Sequence, residues 1–162
     1  MRKMKFTAVM LFLVVACSLT VVAQDQEPAA PPTPKFNAEL AKSLGADDYG
    51  MRSYVFCTLK TGKTKIEDAE KSKEIFAGHF ANMRRLAKQE KLVLAGPFVD
   101  GAPKRGLYIF NVTTIEEAEK LVKSDPAVQA GVFEYELTKL YCSAALMQIN
   151  DIHGSIQKTK IE

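Results

Sequence analysis

Along the stretch from Tyr54 to Cys142 the apolar positions alternate between a period of two and a period near 3.6, and each switch marks an element boundary. Tyr54 to Leu59 is a β-branched and aromatic run closed by Lys60-Thr61-Gly62, which predicts a strand and then a turn. From about Ile66 to Gln89, Ile75, Phe76, Phe80, Met83, Leu86 and Ala87 recur at helical spacing. Lys, Glu and Arg take the other faces, so a long amphipathic helix is expected. Leu92 to Phe98 predicts a second strand ended by Gly96-Pro97, and Leu107 to Val112 a third, reached through a turn at Asp100-Gly101-Ala102-Pro103. Thr114 and Glu117 have the spacing of a capping box and start a second helix through Ala118, Leu121 and Val122 to Ser124. Asp125-Pro126 restarts a short helical turn that Gly131 ends. Val132 to Cys142 then alternates Phe133, Tyr135 and Leu137 against Glu134, Glu136 and Thr138, a fourth strand with one wetter face.

The order β-α-β-β-α-β predicts an α+β domain of the ferredoxin-like arrangement, one antiparallel sheet carrying both helices on a single face. Strands two and three are apolar on both faces: Leu92 and Leu94 against Val93 and Ala95, Leu107 and Ile109 against Tyr108 and Phe110. The second face therefore needs cover. A two-fold dimer, closing an α/β barrel, is the first expectation. Cover by the C-terminal segment, through the stripe Leu146, Ile149, Ile152 and Ile156, is the alternative.

The N-terminal region changes the picture of where the domain works. Arg2, Lys3 and Lys5 precede an apolar run from Phe6 to Ala16 and small residues toward Ala23, the layout of an export signal. Residues 1–23 are expected to be removed, leaving an exported, periplasmic or secreted protein with no stable membrane span. A competing cut at Val14-Val15-Ala16-Cys17 resembles a lipobox and would anchor the chain through Cys17. Residues 24–35 hold four prolines among Gln, Asp, Glu and Ala and predict an extended tether. Residues 36–51 hold a short helix, Ala38 to Leu44, behind Asn37 and closed by Gly45, and then a connector. The main domain is expected over 52–145 and a helical tail over 146–162.

The formal net charge of +3 comes from 22 basic against 19 acidic residues, and the signal accounts for it, because losing Arg2, Lys3 and Lys5 leaves the two signs equal. A domain near neutrality has no electrostatic footprint for nucleic acid. Removal of the signal also leaves Cys57 and Cys142 as an even pair. One structural disulfide is one reading, and two small buried hydrophobes is the favoured one. No metal-ligand spacing, phosphate-cradling Gly loop, nucleophile elbow or paired catalytic carboxylates occurs, so the sequence implies no metal and no cofactor.

Candidate chemistry concentrates between His79 and Gly101. His79 lies one turn from Ile75 and Phe76 on the helix face that meets the sheet, and an imidazole is the natural group to move a proton near neutral pH. Asp100 follows the second strand in a loop, where a carboxylate could orient the imidazole and stabilise its cation. The plain alternative is a hydrogen-bonded core histidine beside a turn aspartate. Tyr54, Gly96, Pro97 and Arg105 are binding candidates around the same strand ends, with Lys104 and Tyr108 weaker ones. Arg105 would meet an anionic ligand, although charges and aromatics at such positions are more often solvated or simply packed. Asp125 before Pro126 reads as a helix-start residue.

Ala77-Gly78-His79-Phe80, Leu94-Ala95-Gly96-Pro97 with Asp100-Gly101, the helix start from Thr114 to Glu119, and Asp125-Pro126 with Ala130-Gly131-Val132-Phe133 occur in the order seen in the YCII (YciI-like) family. The chain resembles that family over about residues 52–145. The resemblance implies a dimeric α/β barrel of ferredoxin-like subunits with a histidine and an aspartate as the active-site pair, falling on His79 and Asp100. It also leaves a pocket role open for Asp125. Two functions follow as expectations. One is an enzyme using His79 and Asp100 for proton transfer, elimination or isomerisation, on a small organic molecule. The other is a non-catalytic ligand-binding or accessory protein of the same fold. A haem held through His79, as in some related barrels, is a third and weaker reading.

Overall fold

The computed structural model describes residues 34–159, so the expected export signal, Cys17 and most of the tether lie outside the described residues. Behind Asn37, whose side chain accepts from the Leu40 amide, helix α1 spans Ala38–Ser43. The connector is pinned by Asp47, whose carboxylate accepts from the amides of Tyr49 and Met51 at 2.9 Å and from the Tyr141 hydroxyl. Strand β1, Met51–Thr61, begins three residues earlier than the apolar run from Tyr54 implied. Its partner β4, Phe133–Ser143, pairs with it along the whole length and carries the extra residues into the sheet.

Helix α2, Ala69–Lys88, starts where Asp68 caps the Lys71 amide and buries Ile75, His79 and Leu86 along one stripe. Strands β2, Leu92–Pro97, and β3, Lys104–Phe110, follow as an antiparallel pair. Helix α3, Ile115–Val122, is capped by Thr114, whose hydroxyl accepts from the Glu117 amide. The reciprocal half of the expected capping box is absent. The Glu117 carboxylate instead takes the Lys91 ammonium at 3.0 Å, a charged partner that outcompetes a backbone amide. A short helix α4, Pro126–Gln129, precedes β4.

The sheet order is β2-β3-β1-β4, antiparallel throughout, as the ferredoxin-like reading requires. The face toward α2 and α3 holds Val55, Cys57, Leu59, Tyr108 and Phe110 from the strands and Leu86, Ala118 and Val122 from the helices. Each fully buried aliphatic side chain here contributes roughly 1.5–3 kcal/mol.

The second face gathers Tyr54, Val93 and Ile109, with Phe56, Leu94, Leu107 and Leu140 beside them. Val93 and Leu94 both belong to it because the β2–β3 register slips between Leu92 and Leu94. Leu146 and Met147, in a 3-10 turn over Ala144–Gln148, pack on this face, and the Asn150 side chain donates to the Leu92 carbonyl at 2.8 Å. The C-terminal segment thus covers part of the face. It does not do so along the single stripe expected. The 3-10 turn gives way to helix α5, Ile149–Ile156, and the change of residues per turn rotates Ile152 and Ile156 outward, where they are 56% and 74% exposed.

Cys57 and Cys142 are both free thiols. Cys57 pairs with Leu137 across β1–β4 and Cys142 with Arg52, five residues away along β1, so strand alternation puts them on opposite faces of the sheet. Burial, and secondarily the negative charge of Asp125, pushes the Cys57 thiol up from 9.0 to about 12. The folded chain therefore holds this proton where the unfolded chain has lost it. The stability it brings is complete below about pH 9 and is lost as the pH climbs toward about 12. Cys57→Ala should flatten the alkaline decline in unfolding free energy over that range, by up to about 1.4 kcal/mol per pH unit. Chemical denaturation across the pH series checks this, and an unchanged alkaline slope would contradict it.

Candidate functional site

The long amphipathic face of α2 brings His79 to the sheet, where it is 7% exposed. Phe76, Phe80 and Phe133 surround it edge-on, with ring centroids 5.3 to 6.0 Å from the imidazole. The carboxylate that meets it is Asp125. His79 Nδ1 lies 2.8 Å from Asp125 Oδ2 and 3.0 Å from Oδ1. Tyr108, reaching up from β3, donates its hydroxyl to Asp125 Oδ2 at 2.8 Å, and the Ala127 amide donates to Oδ1 at 2.9 Å.

Local structure explains why Asp125 is there. It is the N-cap of α4, with extended backbone and Pro126 at the first helical position, so one of its oxygens is already directed at a helix amide. Helix α4 packs closely on α2 at Gly78. A Cβ built on Gly78 would lie 3.0 Å from Pro126 Cγ, tighter than ordinary contact, so the absent side chain lets the two helices approach beside the next residue, His79.

The hydrogen-bond roles follow from the chemistry. A carboxylate can only accept, so Tyr108 is the donor in its bond, and burial first, then the charge of Asp125, raises the phenol far above its ordinary range and keeps it protonated. His79 Nδ1 must likewise carry the hydrogen toward Asp125. In the neutral ring Nε2 is then the nitrogen with a free lone pair. A completely buried carboxylate satisfied by an imidazole, a phenol and an amide can hold an imidazole in one tautomer and stabilise it once protonated.

His79 and Tyr108 line a cavity of about 230 Å³ whose walls are Leu59, Phe76, Phe80, Met83 and Phe133, with Gly96, Pro97, Arg105, Gly106 and Leu107 at the β2–β3 side. A Cβ on Gly106 would meet the Gly96 carbonyl at 2.8 Å, so the close pairing of β2 and β3 here requires glycine. The volume is below the roughly 300 Å³ at which drug-sized pockets begin. Among the described residues no three His, Cys, Asp or Glu side chains cluster as a metal site.

Of the residues expected from sequence, the structure brings His79, Gly96, Pro97 and Arg105 together around this cavity. The pairing of His79 with Asp100 is corrected. Asp100 is exposed in the turn after β2 and does not line the cavity, and the space against Nδ1 is filled by Asp125. Tyr54 is also elsewhere. Alternation along β1 puts it on the second face, where its hydroxyl donates to the Ser143 carbonyl at 3.1 Å and the Arg52 guanidinium lies 5.4 Å from its ring centre. Tyr108 shares its strand face with Phe110 and belongs to the site. The helix-start reading of Asp125 was right and incomplete. Forty-six residues separate it from His79, and nothing local to Asp-Pro reveals that its second oxygen faces an imidazole.

Fold and site together define a ferredoxin-like α+β domain with a buried histidine, aspartate and tyrosine cluster against a small apolar cavity. A model of the YCII-related domain matches residues 52–140, more than half of the chain, and the protein belongs to that family. The uncharacterized protein YjpA of Bacillus subtilis (strain 168) is 31% identical over 84 residues, covering 52% of this chain and 88% of YjpA. Among solved structures, the 5-chloro-2-hydroxyhydroquinone dehydrochlorinase TftG of Burkholderia phenoliruptrix AC1100, in complex with 2,5-dihydroxybenzoquinone, is similar at 19% identity and a TM-score of 0.40. That similarity covers 52% of this chain and 90% of TftG. The family resemblance read from the Ala77-Gly78-His79-Phe80 and Asp125-Pro126 motifs is borne out.

Removing the Asp125 carboxylate would strand three buried donors. Asp125→Ala should lower the unfolding free energy by about 3 kcal/mol or more, whereas Asp100→Ala should stay within about 0.5 kcal/mol of the parent. Urea denaturation of the two variants decides between them, and equal effects would contradict the assignment of Asp125 as the partner of His79.

Proposed function

We propose that this YCII-related protein binds a small organic molecule in the cavity beside His79 and moves a proton on it, in a lyase-like elimination or an isomerisation. The observation that carries the reading is the buried contact between His79 Nδ1 and Asp125. It leaves Nε2 as the basic nitrogen of a side chain that lines the cavity. In the forward step Nε2 would take a proton from a carbon acidified by a neighbouring carbonyl or hydroxyl-bearing ring, and Asp125 would stabilise the imidazolium that results. The same proton would return to a second carbon in an isomerisation or accompany a leaving group in an elimination. Tyr108 holds Asp125 in place and stays protonated, so it acts through the carboxylate. The walls around His79 are mainly apolar and lower the local polarity in which the proton would move.

Asp100, which the resemblance implies as the second catalytic residue, has no part in this scheme. A non-catalytic protein that keeps the cavity only for binding is the alternative. The test incubates the protein in deuterated water with a panel of small carbon acids, ketones, hydroxyquinols and β-substituted acids, and follows deuterium incorporation by mass spectrometry. Incorporation by the parent and a loss of about a hundredfold or more in His79→Gln is expected. Undiminished exchange in the variant would overturn the catalytic role of His79, and no exchange by the parent across the panel would favour the binding-only alternative.

Export of the chain and pairing of two copies belong to the same reading. Phe56, Leu94, Leu107 and Leu140 stay only half-buried on the second face, an apolar strip that supports a two-fold partner sheet. Light scattering should return twice the chain mass, and a monomer at micromolar concentration would contradict the pairing.

A further inference from the structure

Next to the His79 cavity lies a second one, of about 330 Å³, formed by the loop after β1, the start of α2 and the start of β4. The two share Phe76, Phe133 and Arg105, so they are adjoining chambers with Arg105 at their junction. Their chemistry differs. The first is walled almost entirely by carbon, whereas the second presents Thr61, Thr64 and Ser72 together with Lys63 and Lys65. Among the described residues lining either chamber there are three cations and no carboxylate on the wall.

Arg105 is available. Its guanidinium has no hydrogen-bond or ion-pair partner among the described residues, and its backbone carbonyl accepts from the Phe98 amide at 3.0 Å. Lys63 and Lys65 are committed only loosely, to Glu134 at 3.8 Å and Glu67 at 3.9 Å, and are almost fully exposed. The strand geometry accounts for where Arg105 sits. On β1, Leu59 pairs with Gly106 and Lys60 with Lys104, so Arg105 is the bulged residue, left without a partner on β1. Simple alternation along β3 would give Arg105 the face of Leu107 and Ile109, and a bulge re-aims a side chain in this way.

We propose that Arg105 is the specificity residue for a small organic carboxylate, whose apolar body occupies the chamber beside His79 while its charge pairs with the guanidinium. The inference rests on the reading of the His79 cavity as the ligand site and adds the substrate class. A single planar fork matches a carboxylate, and Lys63 and Lys65 add a field that draws anions toward the junction. A chamber of about 230 Å³ limits the body to roughly one ring or a short branched chain.

Benzoate and its uncharged isostere benzamide are the probes, titrated into the full chain and followed by protein NMR shifts and calorimetry. Benzoate is expected to bind at least about fivefold more tightly than benzamide, with shifts at Phe76, Phe133 and Arg105 and an affinity that falls as salt is added. Arg105→Gln should weaken benzoate by roughly fivefold or more and leave benzamide unchanged. His79→Gln, which removes the proton-transfer group, should keep the preference for benzoate, so loss of catalysis and loss of anion recognition are read separately. Equal affinity for the two probes, or an Arg105→Gln protein that binds benzoate as the parent does, would overturn the assignment.

Discussion

A carboxylate with no exposed surface has to be satisfied from within, and in this protein the demand falls on Asp125, which accepts from the His79 ring, the Tyr108 hydroxyl and the Ala127 amide. Leaving any one of these donors unpaired in the core would cost about 1–3 kcal/mol. The three partners come from α2, β3 and α4, so one side chain ties the long helix, the centre of the sheet and the short helix before β4 into a single arrangement. Satisfaction of that carboxylate and orientation of the imidazole are the same set of hydrogen bonds.

Much of the surrounding architecture serves this contact. Gly78 permits the approach of Pro126 and with it Asp125. The aromatic rings of Phe76, Phe80 and Phe133 lower the polarity around His79, which strengthens its interaction with a charged partner. The strand pair β2–β3 closes the cavity on the other side and, through a bulge, carries Arg105 to its edge. His79 is thus held by regular helix and sheet, while the cation beside the cavity sits at an irregular point of β3.

The element order, the antiparallel sheet, the buried face of α2 and the inward placement of His79 were all legible in the apolar periodicity, because period and burial are local consequences of strand and helix geometry. Family membership was legible in the spacing of short motifs. The partner of His79 was not. Asp100 is near His79 in sequence and in a loop, and both cues favoured it, whereas Asp125 carried a sufficient local explanation as a helix cap. A side chain that satisfies two demands at once shows only the local one in sequence. Tyr54 and Arg105 were misjudged or underdetermined for a related reason. Alternation correctly separates Tyr54 from Tyr108 once the register is known, and the bulge that moves Arg105 has no signature in the residue types around it. The C-terminal stripe failed where a 3-10 turn replaced an α-helix, a change of period that four apolar residues do not encode.

The geometry has Asp125 fixing the tautomer of His79. Nitrogen-15 NMR of the imidazole in the parent protein, with two-bond couplings to the ring protons, reports directly which nitrogen carries the hydrogen. Expected for the neutral ring are a protonated Nδ1 and an unprotonated Nε2 in the parent, and loss of that single-tautomer signature in Asp125→Ala with retention in Asp100→Ala. A hydrogen on Nε2 in the neutral ring of the parent, or a signature untouched by Asp125→Ala, would contradict it.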